Sequence, residues 1–319
     1  MSERNISLAL SNDNFTAIIP WFALSIFVCT LGSFGNLWCG LVIYLSKGLW
    51  KRPIYRLILG IIIPDFITNS ICVPYEATQS LFRVQYAFVN GNDVSCMIEA
   101  TIFIMAISMS NLTQMIVAYY RLIAVVSPVK FKVLSSNKLV AILIMTISFA
   151  PVFVFFICGI NTLIWYKIHP IIGDCSEYAP SVAVDYLRNS LFQFIPALLS
   201  IIAYVGIIIR ILSVGSDITT RKTLIKRAHG SLALGVSLTV YCICIILYWT
   251  DYNSSEYSID INGSFWKKFA MRASYGLTPI FYLTMDLNIQ EYSIKLIIRT
   301  KNFKKDITSI IIGSEKTAP

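Results

Sequence analysis

The chain has 319 residues, of which 56% are hydrophobic and 13% are charged, and its formal net charge is +9. The apolar residues are gathered into seven long stretches separated by short polar loops. The positive charge therefore indicates membrane topology and contact with anionic membrane lipid, and it is not evidence of nucleic-acid binding.

Each apolar stretch has about twenty or more residues, the length that a helix needs to cross the hydrocarbon core of a bilayer. A helix also satisfies its own backbone hydrogen bonds, as a membrane span must. The alternative, seven buried helices of a large soluble bundle, requires polar faces with helical spacing, and residues 138–160 and 196–212 offer almost none. The sequence therefore predicts an all-α membrane protein with seven transmembrane helices. We number these spans one to seven in chain order: 20–46, 54–80, 97–127, 138–160, 188–212, 228–250 and 269–287.

The distribution of charge predicts the orientation of the bundle. With the N-terminus outside the cell, most of the 26 Lys and Arg residues fall on the inner side, as the positive-inside rule requires. We therefore expect a multi-pass protein of the plasma membrane, with an extracellular tail over 1–19, a seven-span domain over 20–287 and a cytoplasmic segment over 288–319. The tail carries two acceptor triplets for N-glycosylation, at Asn5 and Asn14.

Two of the eight cysteines face the outer, oxidising side. Cys96 lies at the outer start of span three and Cys175 lies in the outer loop before span five, so we expect one disulfide that ties this loop over the mouth of the bundle. The alternative is two unpaired thiols. The other cysteines lie within or at the edges of spans, where a thiol behaves as a small apolar group. The chain has only two histidines, and we expect no Cys/His metal site.

Short motifs occur along the spans in a recognisable order and spacing. They are Gly35-Asn36, Asp65, Cys96 with Arg121, Pro128, Pro196 with Tyr204, and Thr278-Pro279-Ile280-Phe281-Tyr282. With these motifs the chain resembles the rhodopsin-like (class A) G-protein-coupled receptors over nearly its whole length. The resemblance implies a receptor, not an enzyme, that binds an extracellular small molecule or short peptide and activates a heterotrimeric G protein. It also implies a short amphipathic helix on the inner membrane surface, from Asn288 to Arg299, with Tyr292, Leu296 and Ile297 on its apolar face.

The chain departs from the family pattern at two motifs. The Asp/Glu-Arg-Tyr triplet of span three is here Tyr120-Arg121-Leu122, so the arginine lacks its neighbouring carboxylate. Span six has Cys244-Ile245-Ile246-Leu247 where the family has Cys-Trp-x-Pro, so it lacks the proline that would kink this helix. Such departures are similar to those of invertebrate, nematode-type chemosensory receptors, and they put the usual swing of span six in question.

Asp65 is a carboxylate within an apolar span, where a charge needs partners. By family register its neighbours are Asn36, Ser110 and Thr278. The resemblance implies that this cluster holds a sodium ion, and we expect no other cofactor. The alternative is a protonated or hydrogen-bonded Asp65 that serves packing alone.

At the inner end, the resemblance implies a G-protein contact centred on Arg121. The alternative is an ordinary basic anchor at the membrane surface. The residues assigned to G-protein coupling are Tyr120, Arg121, Leu122, Tyr204, Arg227 and Tyr282.

The family register also restricts the chemical class of the ligand. Arg272 stands where an animal opsin has its retinal-linking lysine, and Phe103 stands where amine receptors have an aspartate, so neither retinal nor a monoamine is expected. Glu76, Glu99 and Arg272 approach the outer mouth, where they either form an internal ion-pair network or recognise a polar ligand. The deeper pocket is assigned to Phe103, Gln193 and Tyr248.

A transporter or channel is the alternative to a receptor. It would show inverted repeats, paired helices broken by Gly or Pro, or a chain of charges at the membrane midplane, and the spans carry only Asp65 there. A membrane enzyme would need converging His, Asp or Glu groups, and the sequence has no HExxH, GxSxG or paired-aspartate motif.

Overall fold

The structure is a computed structural model, and it describes most of the predicted bundle. The described residues are 12–86, 94–134, 136, 139–140, 142–143, 146, 165–168, 175–178, 189–213, 234–244, 246 and 261–298.

Helices form where the apolar stretches predict them. Four of the described helices are long and apolar enough to cross a membrane, and these are spans one, two, three and five: Ile19–Leu45, Pro53–Leu81, Ile98–Val126 and Ser190–Ser213. The described part of span six is the apolar helix Leu234–Cys244, and span seven is the helix Ile261–Met285. The described residues of span four are helical at 139–140, 142–143 and 146.

Span one packs against spans two and seven, and span three packs against spans two and five. The inner half of this arrangement encloses a core that includes Val42, Ile58, Val117, Leu234 and Tyr282. Large apolar side chains also cover the outside of span five, where more than half of the surface of Leu198 and Ile208 is exposed. In a bilayer these side chains meet lipid tails, so their exposure carries no penalty.

Span one is longer than the sequence predicts. Its helix runs over Asn12–Leu45, so the last part of the expected tail, including the backbone of Asn14, is helical. Two short helices connect the first spans to their neighbours on the inner side, Lys47–Trp50 after span one and Pro128–Leu134 after span three. The helix of span three itself runs over Val94–Val126.

Span two contains one π-helical turn, Thr68–Cys72, between the α-helices Pro53–Ile67 and Val73–Tyr86. The cause is Pro74, which has no N–H and whose ring displaces the carbonyl group four residues earlier. The helix therefore widens by one residue at this point.

Span five begins with a second π-helical turn, Ser190–Phe194, followed by the α-helix Ile195–Ser213. Pro196 has no N–H group to donate to the carbonyl oxygen of Phe192, four residues earlier. Asn111 of span three fills this position, since its Nδ2 atom donates to the Phe192 carbonyl oxygen over 3.1 Å. A neighbouring helix thus satisfies a backbone group that a proline has freed inside the membrane.

A two-stranded antiparallel hairpin lies in the outer loop before span five, an addition to the all-α prediction. Trp165–Ile168 pairs with Cys175–Tyr178, with Ile168 opposite Cys175. The first strand is rich in the aromatic and β-branched residues that favour strands. The hairpin packs against span three.

Asp286 separates span seven from the helix at 287–298 and caps that helix. Its Oδ1 atom accepts the backbone N–H groups of Asn288 and Ile289 at 3.0 and 3.2 Å. The hydroxyl of Tyr55, at the inner end of span two, donates to the same oxygen over 3.1 Å, and Arg52 donates to Asn288 Oδ1 over 3.0 Å. The inner helix is therefore tied to span two as well as to span seven.

The inner helix has two apolar faces instead of the one that the sequence predicts. Tyr292 and Leu296 pack against the inner core, whereas Ile297 is exposed, together with Ile294 and Ile298. The exposed face is suited to the membrane interface. On the surface Lys295 pairs with Glu291 one turn away, and this hydrogen bond and charge lower the pKa of the Glu291 carboxyl.

Candidate functional site

Asp65 is almost fully buried in span two, with 1% of its surface exposed. Its Oδ1 atom accepts the hydroxyl of Ser110 from span three over 2.7 Å, and its Oδ2 atom has no hydrogen-bond partner. Asn36 of span one is also fully buried, and neither polar atom of its side chain has a partner. Buried polar atoms without partners are costly, so these groups call for an additional ligand or water.

Thr278 brings span seven to the same cluster. Its hydroxyl can donate to the Ser274 carbonyl oxygen, 3.0 Å away, or to the Asp65 carboxyl, which also lies within its reach. The hydroxyl of Ser237 in span six is 3.2 Å from that of Thr278. The cluster therefore joins spans two, three, six and seven.

The donor set around Asp65 fits a small hard cation. Carboxyl, hydroxyl and amide oxygens are the ligands that such cations prefer. Asp65 Oδ2 lacks a partner, and so does Oδ1 of Asn36, the residue that family register predicts beside Asp65. In the described part of the chain, no group of three or more His, Cys, Asp or Glu side chains is placed to hold a metal ion.

A second buried network begins at Asn111, the residue after Ser110 in span three. Asn111 Nδ2 donates to the hydroxyl of Tyr241 in span six over 2.6 Å, in addition to its bond with span five. The ring of Tyr241 meets that of Tyr275 edge to face, with centroids 5.8 Å apart. Sequence reasoning missed this network, although Asn111 in an apolar span and Pro196 in span five were both available as signals.

At the inner end, the side chain of Arg121 is buried and lies close enough to Tyr204 and Tyr282 to act on them electrostatically. Tyr120 packs edge to face on Phe131 with ring centroids 4.8 Å apart, and its hydroxyl has no partner. Leu122 contacts span five at Gly206. Arg227 lies outside the described residues, so its assignment to G-protein coupling stays a prediction.

The outer mouth contains a buried ion pair. Arg272 of span seven donates through Nη2 to Oε1 of Glu76 in span two, and both side chains are less than a tenth exposed. The guanidinium carbon lies 5.8 Å from the ring centroid of Trp21 in span one. Arg272 Nη1 has no hydrogen-bond partner. Glu99 of span three is buried in the same region, since it acts on Cys72 electrostatically together with Glu76 and Arg272.

The residues assigned to the deeper pocket are only partly described. Phe103 packs beside Ile107, Tyr241 and Tyr275. Gln193 lies in the π-helical turn of span five, and its Oε1 atom is buried without a partner. Tyr248 lies outside the described residues.

The predicted disulfide and the glycosylation sites stay predictions. The side chains of Cys96 and Cys175 are outside the described part, although the strand that starts at Cys175 belongs to the hairpin that packs on span three. The side chain of Asn14 and the whole of Asn5 are likewise not described.

The chain matches the family described as "7 transmembrane receptor (rhodopsin family)" over residues 7–260. This range covers more than half of the chain, and the chain therefore belongs to the rhodopsin family of seven-transmembrane receptors. The predicted family and the predicted helical membrane bundle are confirmed, and the protein is a multi-pass membrane receptor. A search of curated proteins finds no match.

Proposed function

We propose that this receptor binds an extracellular small molecule or short peptide at its outer mouth and activates a heterotrimeric G protein at its inner end. The role is chemosensory, in the plasma membrane, with the N-terminus outside and the C-terminus in the cytoplasm. One observation supports this proposal above the others. Buried polar groups extend from the Glu76–Arg272 pair through Asp65 to Tyr282 and Arg121, and several of their atoms have no partner.

Groups of this kind suit a switch. A carboxylate inside the membrane is costly, so each arrangement of its partners has a distinct free energy. A ligand that prefers one arrangement shifts the population toward it, by no more than its difference in affinity between the two states. The ligand acts at the ion pair on spans two and seven, and Ser237 and Thr278 link span seven to span six.

We further propose that Asp65, Asn36 and Ser110 hold a sodium ion in the inactive state. When bound, this ion supplies the positive charge that balances the Asp65 carboxylate. Ser110 orients the carboxyl through its hydrogen bond to Oδ1, which leaves Oδ2 available. Asn36 offers the second acceptor from span one.

The test is nucleotide exchange on G proteins in membranes of cells that express the receptor, with and without sodium. We expect Asp65→Asn to remove sodium sensitivity and to change the response to an agonist, while surface expression falls little. Ser110→Ala weakens both effects. Ser108→Ala, at another buried serine of span three, serves as the matched control and keeps the wild-type response. An Asn variant with unchanged exchange and unchanged sodium sensitivity reduces Asp65 to a packing role.

A further inference from the structure

One donor group at the outer mouth lacks an acceptor, that of Arg272 Nη1. Arg272 uses Nη2 for Glu76, and its Nη1 group is buried with no acceptor. A guanidinium group can only donate, so the missing partner must be an acceptor. Two more buried groups are unpartnered at this end of the bundle, the hydroxyls of Ser25 and Ser80. Ser25 lies one turn from Trp21 along span one, and Ser80 lies one turn from Glu76 along span two.

The charges at the mouth decide what kind of acceptor fits. Glu76 already neutralises Arg272, and the second carboxyl, that of Glu99, lies in the same buried region. An anionic ligand would therefore meet an arginine that is compensated and two acids that repel it. A cationic ligand brings further donors and would have to break the existing pair, which leaves a buried guanidinium uncompensated.

Building on the proposed receptor function, we propose that the ligand presents an uncharged oxygen acceptor, a ketone, ester or amide carbonyl, to Arg272 Nη1. The neutral pair with one spare donor accepts a neutral oxygen without a change in net charge. The surroundings suit an apolar remainder, because the indole of Trp21 and the thiols of Cys29 and Cys72 are buried beside the pair. The ligand class is thus a small lipophilic carbonyl compound.

The experiment measures the thermal unfolding midpoint of the purified receptor in lipid nanodiscs against four probes of equal carbon number: octan-2-one, octanoate, octylammonium and octane. Binding to the folded state raises the midpoint with concentration, which gives an apparent affinity. In the wild type we expect octan-2-one to bind about tenfold more tightly than the other three, a ratio typical of one good hydrogen bond to a charged group.

Two variants should change the order of the apparent affinities of the four probes. Glu76→Gln removes the carboxylate that pairs with Arg272, so octanoate should overtake octan-2-one. The double variant Glu76→Gln/Arg272→Met removes both charges together, so that Glu76 is not left unpaired, and octan-2-one should then bind no better than octane. Arg210→Met, at an exposed arginine of span five, is the matched control and keeps the wild-type order.

The proposal is overturned if octanoate or octylammonium binds most tightly to the wild type, if Glu76→Gln leaves the order unchanged, or if no probe raises the midpoint. Nucleotide exchange is measured in parallel. Tight binding of octan-2-one without any exchange would count against the signalling function and not against the ligand chemistry. Exchange that responds to other compounds, with no binding of octan-2-one, would count against the ligand chemistry and not against the signalling function.

Discussion

At the scale of single residues, two glycines set the distance between spans one and seven. A Cβ atom on Gly32 would lie 2.7 Å from the Cα atom of Gly276 and 2.9 Å from Cγ of Asn69. A Cβ atom on Gly276 would lie 2.7 Å from a side-chain carbon of Val28 and 3.1 Å from its backbone oxygen. Small residues allow such close approach of membrane helices, and the contact stabilises the bundle through packing.

We predict that Gly276→Ala destabilises the receptor by about 1–3 kcal/mol, since the new methyl group meets both the side chain and the backbone oxygen of Val28. Gly235→Ala is the matched control, because a Cβ atom there has no neighbour within 4 Å. Replacing an unconstrained helical glycine by alanine should stabilise by about 0.5–1 kcal/mol. Thermal unfolding in detergent measures both. Equal midpoints for Gly276→Ala and the wild type would show that spans one and seven separate easily.

The chemistry of single residues was easier to predict than their partners. The depth of Asp65 in an apolar span was enough to predict a buried carboxyl with polar neighbours, and Ser110 was found by register. The sequence left two interpretations open for Glu76 and Arg272, because they are far apart along the chain and only helix packing brings them together. The Asn111 bond to Phe192 depends on a local distortion at Pro196, which a regular helical pattern does not include.

At the scale of elements, Asp286 makes the most connected junction. It is fully buried, caps the inner helix and accepts the Tyr55 hydroxyl from span two. The sequence predicted the inner helix from its amphipathic pattern but not this cap. The sequence also did not predict the two apolar faces of the inner helix, since a helix that contacts both protein and lipid has no single polar side.

We predict that Asp286→Ala loosens the inner helix, because loss of an N-cap costs about 0.5–2 kcal/mol. Asp286→Asn keeps an acceptor oxygen and should retain most of the cap. Tyr55→Phe removes only the bond to span two. Amide hydrogen exchange over 287–298 should be fastest in Asp286→Ala and close to wild type in Tyr55→Phe. Unchanged exchange in Asp286→Ala would contradict the capping role.

At the scale of the whole molecule, seven spans and their order followed directly from length and hydropathy, which depend on the bilayer and not on tertiary detail. The hairpin and the two π-helical turns did not, because each depends on local backbone chemistry within otherwise suitable segments.

The outer prediction is that Cys96 and Cys175 form a disulfide. Its loss should cost about 2–5 kcal/mol, so Cys96→Ser should lower surface expression sharply. If the two thiols are paired, Cys96→Ser/Cys175→Ser should be no worse than either single variant. Cys242→Ser, within span six, is the control. Mass mapping that finds both thiols free in functional surface protein would rule the disulfide out.

The inner prediction concerns basal signalling. Tyr120 replaces the acid that would pair with Arg121, and the start of span six is basic at Arg227. Without this acid the inactive state should be less stable by about 1 kcal/mol. This shifts a two-state population about fivefold, so we expect measurable basal activity. Arg121→Ala and Tyr120→Asp should both lower basal activity. The first removes the G-protein contact, and the second supplies an acid that pairs with Arg121 in the inactive state.

Tyr120→Phe is the matched control for Tyr120→Asp, because it keeps the ring contact with Phe131 without adding a charge. Nucleotide exchange without agonist measures all three variants. Suppose that nucleotide exchange stays at the level of empty cells and that neither substitution alters it. This result would show that the receptor stays inactive without an acid beside Arg121.

The close contact of Gly32 with Gly276 also bears on how a lipophilic compound reaches the mouth. Such a compound dissolves in the bilayer and arrives from the side as readily as from the water above. Two backbones that touch at this point leave no gap for an acyl chain or a guest molecule, so spans one and seven are closed to lateral entry at the level of these two glycines. A compound that enters from the bilayer must therefore pass at another level of this contact or between another pair of spans.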